Sequence, residues 1–377
     1  LFYDLVYVVL ISQIAHTLSE DISFAGIGRF VFLFIMVWVA WINGSLYHDL
    51  HSKNDIRTRV FTFLQMFTVT SMAVFAHNAI GEGSIGFALS YAAFLLVLTF
   101  MWWRTGIHDP NHRLLSHPYS IFFLISIILF VISAFVPEPW RYYLWGFALF
   151  ITVFLLPSVL IIIGRNNPQA QKELNISLTF SPAAVERFGL FTIIVLGEVI
   201  VSVVAGVVEI HHLTWSIGVT AALGMLVAIS MWWIYFDFIS HRLTKPEQIM
   251  RVGWMYLHLP MTMGIAASGA GILNVVANTD EYLPAHVRWM IVSTIVLVLI
   301  SIALLMRTIQ VPKHYQRFYR SGSLITVISG IIMALLGFLT LGTIPILSIA
   351  IIIMMVPVIF GIYVWIKFLG AKEIEIE

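Results

Sequence analysis

The chain of 377 residues contains no cysteine. This absence excludes a disulfide framework, a thiolate metal centre and a cysteine nucleophile. Charge is also scarce, because Asp, Glu, Lys and Arg together make up only 10% of the residues. A soluble globular domain carries about 25% charged residues, so this sequence has too little polar surface to form a soluble globule.

Several functional motifs are missing as well. All six lysines lie in loops or at predicted helix ends, which excludes a retinal Schiff base inside a span. There is neither a glycine-rich phosphate loop nor a nucleophile elbow, so we predict that the protein is not an enzyme. Three histidines, His108, His112 and His117, fall in a predicted loop, where imidazoles are mostly solvated. We therefore predict no metal site and no cofactor.

Apolar residues account for 60% of the chain, aromatic residues for 14%, and the mean hydropathy is +0.95. Such a composition excludes intrinsic disorder. The formal net charge is only +1, so the strongly basic balance of nucleic-acid-binding proteins is absent and no nucleic-acid partner is expected.

Long uninterrupted apolar runs predict an all-α polytopic membrane protein with about twelve transmembrane helices of about 20 residues each. The runs lack the alternating segments of an outer-membrane barrel, so strands are not expected. The predicted helices cover residues 1–19, 25–47, 59–79, 84–104, 119–136, 139–163, 186–208, 213–239, 250–275, 284–306, 321–341 and 344–369.

Lysine and arginine are distributed unequally between the loops. When successive loops are assigned to alternate sides, about seventeen of these residues fall on one side and three, Arg29, Arg141 and Arg288, on the other. Cytoplasmic loops are enriched in Lys and Arg, so the richer side is predicted to be cytoplasmic. With an even number of helices, both termini are predicted on that side.

The two halves of the sequence resemble each other. Matched positions such as Pro157 and Pro357 lie about 186–203 residues apart, which indicates six helices per copy. Two parallel six-helix repeats are therefore predicted, with a substrate site between them or, alternatively, a duplication that reflects ancestry and packing only. The predicted division is an N-terminal repeat at 1–164, a cytoplasmic linker at 165–185 and a C-terminal repeat at 186–377.

An acidic residue lies near the middle of the seventh predicted span. Glu198 follows Arg187 by eleven residues, which is about 16 Å along a helix. Half of the hydrocarbon core is about 15 Å, so Glu198 is expected near the midplane. A charge there costs at least about 2.5 kcal/mol. We predict that Glu198 carries a proton or cation; the alternative is a protonated side chain that only holds two helices together.

Further polar residues are predicted at successive depths around Glu198. If they face one cavity, they form a proton or substrate pathway. Asp237 and His241 are predicted on one face of the eighth helix, because they are four residues apart. Pairing with interfacial arginines, or helix packing, is the alternative reading of these groups. The predicted pathway consists of Asp237, Asp4, His258, Glu198, Gln13 and His16.

Three segments carry a family signature: residues 1–8 (LFYDLVYV), 186–198 (ERFGLFTIIVLGE) and 232–237 (WWIYFD). Together they resemble the bacterial low temperature requirement protein A (LtrA) family, and the resemblance extends over nearly the whole chain. It implies a bacterial inner-membrane protein associated with growth in the cold. The family motifs fall on Asp4, Glu186, Arg187, Glu198 and Asp237.

We therefore predict a secondary transporter or proton-coupled permease. Its expected partners are the lipid bilayer and a small solute or proton, and a homo-oligomer is left open. A gate or brace is predicted at the cytoplasmic ends of the helices, formed by Glu186, Arg187, Arg59 and Arg251. The alternative function is a non-transporting, lipid-interacting membrane scaffold or a cold or stress sensor.

Overall fold

The computed structural model describes residues 2–51, 56–109, 112–208, 214–277 and 282–369. Within these ranges the chain is almost entirely helical, and the only extended pairing is one antiparallel bridge between Thr244 and Ile309. The helices are α1 (Phe2–Glu20), α2 (Phe24–His51), α3 (Ile56–Ala76), α4 (Ser84–His108), α5 (Arg113–Ser133), α6 (Trp140–Phe150), α7 (Leu156–Asn166), α8 (Pro168–Ser177), α9 (Pro182–Val208), α10 (Trp215–Phe238), α11 (Gln248–Ala277), α12 (Ala285–Thr308), α13 (Gln316–Leu336) and α14 (Thr343–Val364).

Twelve of the described helical segments are long and apolar enough to cross a membrane, which confirms the predicted fold class and number of spans. Helices α6 and α7 form one such span, Trp140–Asn166, because a π-helical turn at Ile151–Leu155 joins them. This turn ends two residues before Pro157, which has no amide hydrogen for a helical hydrogen bond. The predicted two-repeat arrangement and its division of the chain stay predictions.

Helix α8 was not expected from the sequence. The predicted linker at 165–185 contains this ten-residue helix, whose low hydropathy hides it from a search for membrane spans. The Asn167 side chain accepts hydrogen bonds from the amides of Gln169 and Ala170, and Pro168 occupies the first helical turn. Both features are strong helix-start signals, so local chemistry alone accounts for the beginning of α8.

The chain divides into two compact units. Unit 1 consists of Leu1–Ile14 and Val31–Arg187, and unit 2 consists of Ala15–Phe30 and Phe188–Glu377. In unit 1, α4 packs against α3 and α5, while α8 covers the ends of α5 and α7. In unit 2, α12 packs against α11 and α13, and α10 packs against α14.

Two arginines from the charge-poor side hold helix ends together. In unit 1, Arg141 Nε donates to the carbonyl of Ser133, the last residue of α5, at 2.9 Å. In unit 2, Arg288 Nε donates to the carbonyl of Gly337, just after α13, at 3.0 Å. Carbonyl groups at a helix C-terminus lack helical partners and carry partial negative charge. These arginines therefore stabilise the ends of neighbouring spans.

Candidate functional site: a buried polar row in unit 2

Helices α9 and α11 run parallel and close together. The rings of Phe188 and His258 lie 4.7 Å apart. A β-carbon on Gly269 would lie 3.3 Å from the α-carbon of Val199, and one on Gly206 would lie 2.9 Å from the β-carbon of Val276. In each of these three pairs the residue numbers differ by 70. This constant difference fixes the register of the two helices over about five turns.

His258 occupies one end of this interface. Its side chain is 1% exposed, and its Nδ1 lies 2.7 Å from the carbonyl oxygen of Trp254. A carbonyl only accepts hydrogen bonds, so Nδ1 carries the proton. In the neutral ring Nε2 is then an acceptor, and the Tyr235 hydroxyl, 3.2 Å away, donates to it. The imidazole is thus held in one orientation and one tautomer between α10 and α11.

Two threonines, Thr192 and Thr262, lie one turn farther into the span than His258. Together with Tyr235 and His258 they form a row of buried polar side chains, called the polar row below. The Thr192 hydroxyl donates to the Phe188 carbonyl at 2.9 Å, and the Thr262 hydroxyl donates to the His258 carbonyl at 2.7 Å. Both side chains are fully buried. Their numbers also differ by 70, so the register of α9 and α11 brings them to the same depth. Thr192 is additionally within reach of the Tyr235 hydroxyl.

Glu198 lies farther along the same interface and is 4% exposed. The Ser202 hydroxyl donates to Glu198 Oε1 at 3.5 Å. The register brings Glu198 to the depth of Ser268, whose side chain is also buried. Between the threonine level and this carboxylate level lie two buried apolar side chains, Val195 and Ile265. The polar row is therefore interrupted by an apolar layer about six residues, or about 9 Å, deep.

A second polar cluster lies in unit 1, around the first helix. Asp4 is completely buried and accepts a hydrogen bond from the Trp41 indole Nε1 at 2.9 Å. Arg187 Nε lies 3.8 Å from Asp4 Oδ2, and Arg187 Nη1 donates to the Ser45 carbonyl at 3.4 Å. Arginine is suited to bridge a carboxylate and a carbonyl at once. The cluster therefore connects α1, α2 and the beginning of α9.

Comparison with known proteins identifies the family. The family model described as Bacterial low temperature requirement A protein (LtrA) matches residues 1–361. The chain belongs to the LtrA family. It is also similar to "Uncharacterized protein RA0937" of Rhizobium meliloti (strain 1021), with 25% identity over 284 residues that cover 72% of this chain and 67% of the relative.

The LtrA signature segments contribute to both clusters. The first segment supplies Asp4 to unit 1, while its first residue, Leu1, lies outside the described residues. The second supplies Arg187 to unit 1 and Glu198 to unit 2. The third, in α10, supplies Tyr235, the partner of His258. Three signature residues, Asp4, Glu198 and Tyr235, are therefore buried polar groups of this LtrA protein.

The pathway residue Asp237 lies away from the polar row. It is half-buried, and a β-carbon on Gly361 of α14 would lie 2.8 Å from its Oδ2. Tyr235 and Asp237 are two residues apart, so their side chains point about 200° apart around α10. Because Tyr235 meets His258 on α11, Asp237 faces a different side, where it borders a cavity of about 270 Å³ with Arg242 and Tyr319.

The predicted pairing of Asp237 with His241 on one helix face is wrong. Helix α10 ends at Phe238, and His241 has a φ of 61°, a left-handed conformation outside the helix. The helical four-residue rule therefore does not apply there.

The other predicted residues lie nearer the surface. His16 is exposed and lies 3.5 Å from Glu20, and Gln13 is half-buried. Of the remaining predicted gate residues, Glu186 and Arg59 are exposed and Arg251 is half-buried.

The predicted pathway leaves out several members of the unit 1 cluster. His48 Nε2 lies 2.9 Å from the amide oxygen of Gln65, and both side chains are buried. The ring of Tyr3 packs edge-on against His48, and the Tyr3 and Tyr7 hydroxyls lie 3.0 Å apart. The sequence signal for these residues is the recurrence of polar side chains within apolar runs. Tyrosine is also common at helix ends that face lipid headgroups, so this signal does not single them out.

Proposed function

We propose that this LtrA-family protein is a proton-coupled secondary transporter of the bacterial inner membrane, with Glu198 as its proton or cation carrier. The observation that supports this proposal most is the enclosure of a carboxylate by protein at the depth expected for the bilayer midplane. Ionisable groups inside the membrane are costly and generally mark ion or substrate pathways.

The route proposed for the proton follows the α9–α11 interface. His258 and Tyr235 form the end of this route that is farthest from the midplane, and the hydroxyls of Thr192 and Thr262 extend it toward the midplane. The unprotonated Nε2 of the neutral His258 ring faces the Tyr235 hydroxyl, and an imidazole in this form can accept a proton and release it again. In the predicted orientation this end of the row faces the cytoplasm, because α9 and α11 both begin on the side rich in Lys and Arg.

The apolar layer provides the barrier that a coupled transporter requires. Val195 and Ile265 leave about 9 Å between the threonines and Glu198, which is too far for direct proton transfer. A movement of α9 relative to α11 that admits water would connect the two levels. Asp4 is assigned to a brace with Arg187 in this proposal, since the arginine neutralises it within unit 1.

Proton flux in liposomes tests the proposal. The purified protein is reconstituted with an internal pH-sensitive dye, and a membrane potential is imposed with potassium and valinomycin. The wild-type protein should acidify or alkalinise the lumen according to the sign of the potential, and Glu198→Gln should abolish that flux. Glu247→Gln, an exposed acid of unit 2 outside the spans, is the matched control and should leave the flux unchanged.

A chemical assay that needs no knowledge of the solute complements the flux. Hydrophobic carbodiimides modify carboxylic acids that are protonated in apolar surroundings, and mass spectrometry locates the product. Glu198 should be modified in membranes, and imposed changes of pH should alter the rate. An unmodified Glu198 together with wild-type flux equal to that of empty liposomes would favour the scaffold or sensor function instead.

A further inference from the structure

A further cluster of ionisable groups lies in unit 1, on other residues than the Asp4 cluster. His51 ends α2, Asp109 follows α4 and His112 precedes α5. One possible ligand atom from each of these residues lies within 4.8 Å of the others. The rings of His51 and His112 meet at a right angle with centroids 4.7 Å apart, and His112 Nδ1 lies 2.8 Å from Asp109 Oδ2.

From this geometry we propose that His51, Asp109 and His112 bind one divalent transition-metal ion of the zinc class, which ties together the ends of α2, α4 and α5. Two imidazoles and one carboxylate are the ligand types that such ions prefer, whereas Mg²⁺ and Ca²⁺ prefer oxygen ligands alone.

The spacing of the three residues is close to that of a formed site. Ligands about 2.0–2.1 Å from a tetrahedral zinc ion lie roughly 3.3 Å from one another. Atoms within 4.8 Å of one another therefore need to move inward by about 1 Å or less each. The His112 and Asp109 side chains are partly exposed, so we expect rotation of these two side chains to supply this movement.

Two buried polar groups beside the cluster point to a missing ligand. The His51 Nε2 atom is fully covered and has no hydrogen-bond partner within the described residues. Glu173 of α8 is 2% exposed. The Gln169 side chain and the Leu115 backbone lie near its carboxyl group, but neither carboxylate oxygen makes a hydrogen bond of normal geometry within the described residues. Glu173 lies close enough to His112 and Asp109 to interact with both electrostatically. A buried unsatisfied carboxylate is costly, and a nearby cation would offset that cost.

The charges around the cluster suit a divalent cation. Asp109 and Glu173 together carry two negative charges when ionised, and neutral imidazoles add none. Arg104 and His108 border the same cavity of about 270 Å³ that reaches His51 and Asp109. The two carboxylates together balance an ion of charge +2, while Arg104 adds one positive charge at the border of the cavity. The cavity also supplies an entry path, which a metal site requires.

The sequence prediction of no metal site considered His108, His112 and His117 as one loop cluster. In the structure, the cluster contains His112 from that segment together with His51, which lies 61 residues away in the sequence and ends a membrane span. Ligand spacing along the chain could not reveal this combination.

Metal binding by the purified full-length chain tests the proposal. The protein is purified without a polyhistidine tag, stripped with EDTA and titrated with Zn²⁺ in a calorimeter. We expect one ion per chain, and His112→Gln and Asp109→Asn should each weaken binding at least tenfold. His117→Gln is the matched control, because His117 is an exposed histidine one turn along α5 and outside the cluster; it should bind Zn²⁺ like the wild type.

A second measurement does not depend on any variant folding correctly. Co²⁺ added to the wild-type protein should develop the intense visible bands of four- or five-coordinate cobalt, and one equivalent of Zn²⁺ should remove them. A spectrum equal to that of hexaaqua Co²⁺ would overturn the proposal. So would the absence of saturable Zn²⁺ binding, or weakening by His117→Gln as large as that by His112→Gln.

Discussion

Replacing Arg187 by Met should destabilise the protein more than replacing its partner Asp4 by Asn. Asp4 is completely buried, whereas the Arg187 side chain is 27% exposed. Removal of the arginine leaves an uncompensated buried carboxylate. Removal of the aspartate charge leaves a cation that water still reaches, and the asparagine oxygen can keep the hydrogen bond from Trp41.

The magnitude follows from the 3.8 Å separation of Arg187 Nε and Asp4 Oδ2. With an effective dielectric constant of about 20, two unit charges at that distance attract by about 4 kcal/mol. Breaking a buried pair by removing one partner costs about 3–5 kcal/mol, and the partial exposure of Arg187 places the cost at the lower end. We expect about 3 kcal/mol for Arg187→Met and about 1 kcal/mol for Asp4→Asn.

The double variant separates a true pair from two independent residues. Once Asp4 is neutral, loss of Arg187 leaves no buried charge, so the double variant should be close to Asp4→Asn alone, with a coupling of about 3 kcal/mol. The free energy of unfolding is measured by titrating SDS into dodecylmaltoside micelles and following far-UV circular dichroism. Equal single costs that simply add in the double variant would refute the proposed brace.

Three further outcomes are expected. Gly206→Ala should lower the free energy of unfolding by about 1–3 kcal/mol, because the new β-carbon would collide with α11. Gly197→Ala on the same helix should raise it by about 0.5–1 kcal/mol, because its β-carbon would meet nothing within 4 Å and alanine favours the helix more than glycine does. Thermal unfolding in detergent measures both effects. Arg288→Met should cost about 2 kcal/mol in the same assay, since it removes a charged donor from buried carbonyls. The chain has no cysteine, so single cysteine variants report the predicted orientation. Lys172→Cys, predicted on the cytoplasmic side, should react with an impermeant maleimide only after the cells are opened, whereas Glu138→Cys, predicted on the opposite side, should react in intact spheroplasts. The reverse pattern would contradict the predicted orientation.

Stability should also respond to pH through Glu173, the buried acid of α8. Burial raises the pKa of this carboxyl, so the folded state binds its proton more tightly than the unfolded state does. In the metal-free protein this group therefore opposes folding at neutral pH, and its penalty disappears as the pH falls through the raised pKa. Glu173→Gln should increase the melting temperature at neutral pH and have a smaller effect in acid; an equal effect at both would count against ionisation of this group in the folded protein.

The number and position of the spans follow from the sequence because they depend on local hydropathy. Each long apolar run satisfies its own backbone groups as a helix in the membrane, and neighbouring spans are not needed to define it. The same reasoning brought attention to Asp4, Glu198 and His258, since polar groups within apolar runs are conspicuous. It could not find α8, which is amphipathic, short and outside the spans.

The partners of those polar groups were decided only by the tertiary structure. Most of the spans carry apolar side chains on every face, so the sequence does not indicate which face of a span packs against which neighbouring helix. Rotation and tilt of a helix in the membrane are set by packing against other helices. For this reason, only close packing between residues far apart in the chain determines three features: the pairing of Asp4 with Arg187, the alignment of α9 with α11 and the contact of His51 with His112. The twelve helices themselves follow from the hydropathy of the sequence alone.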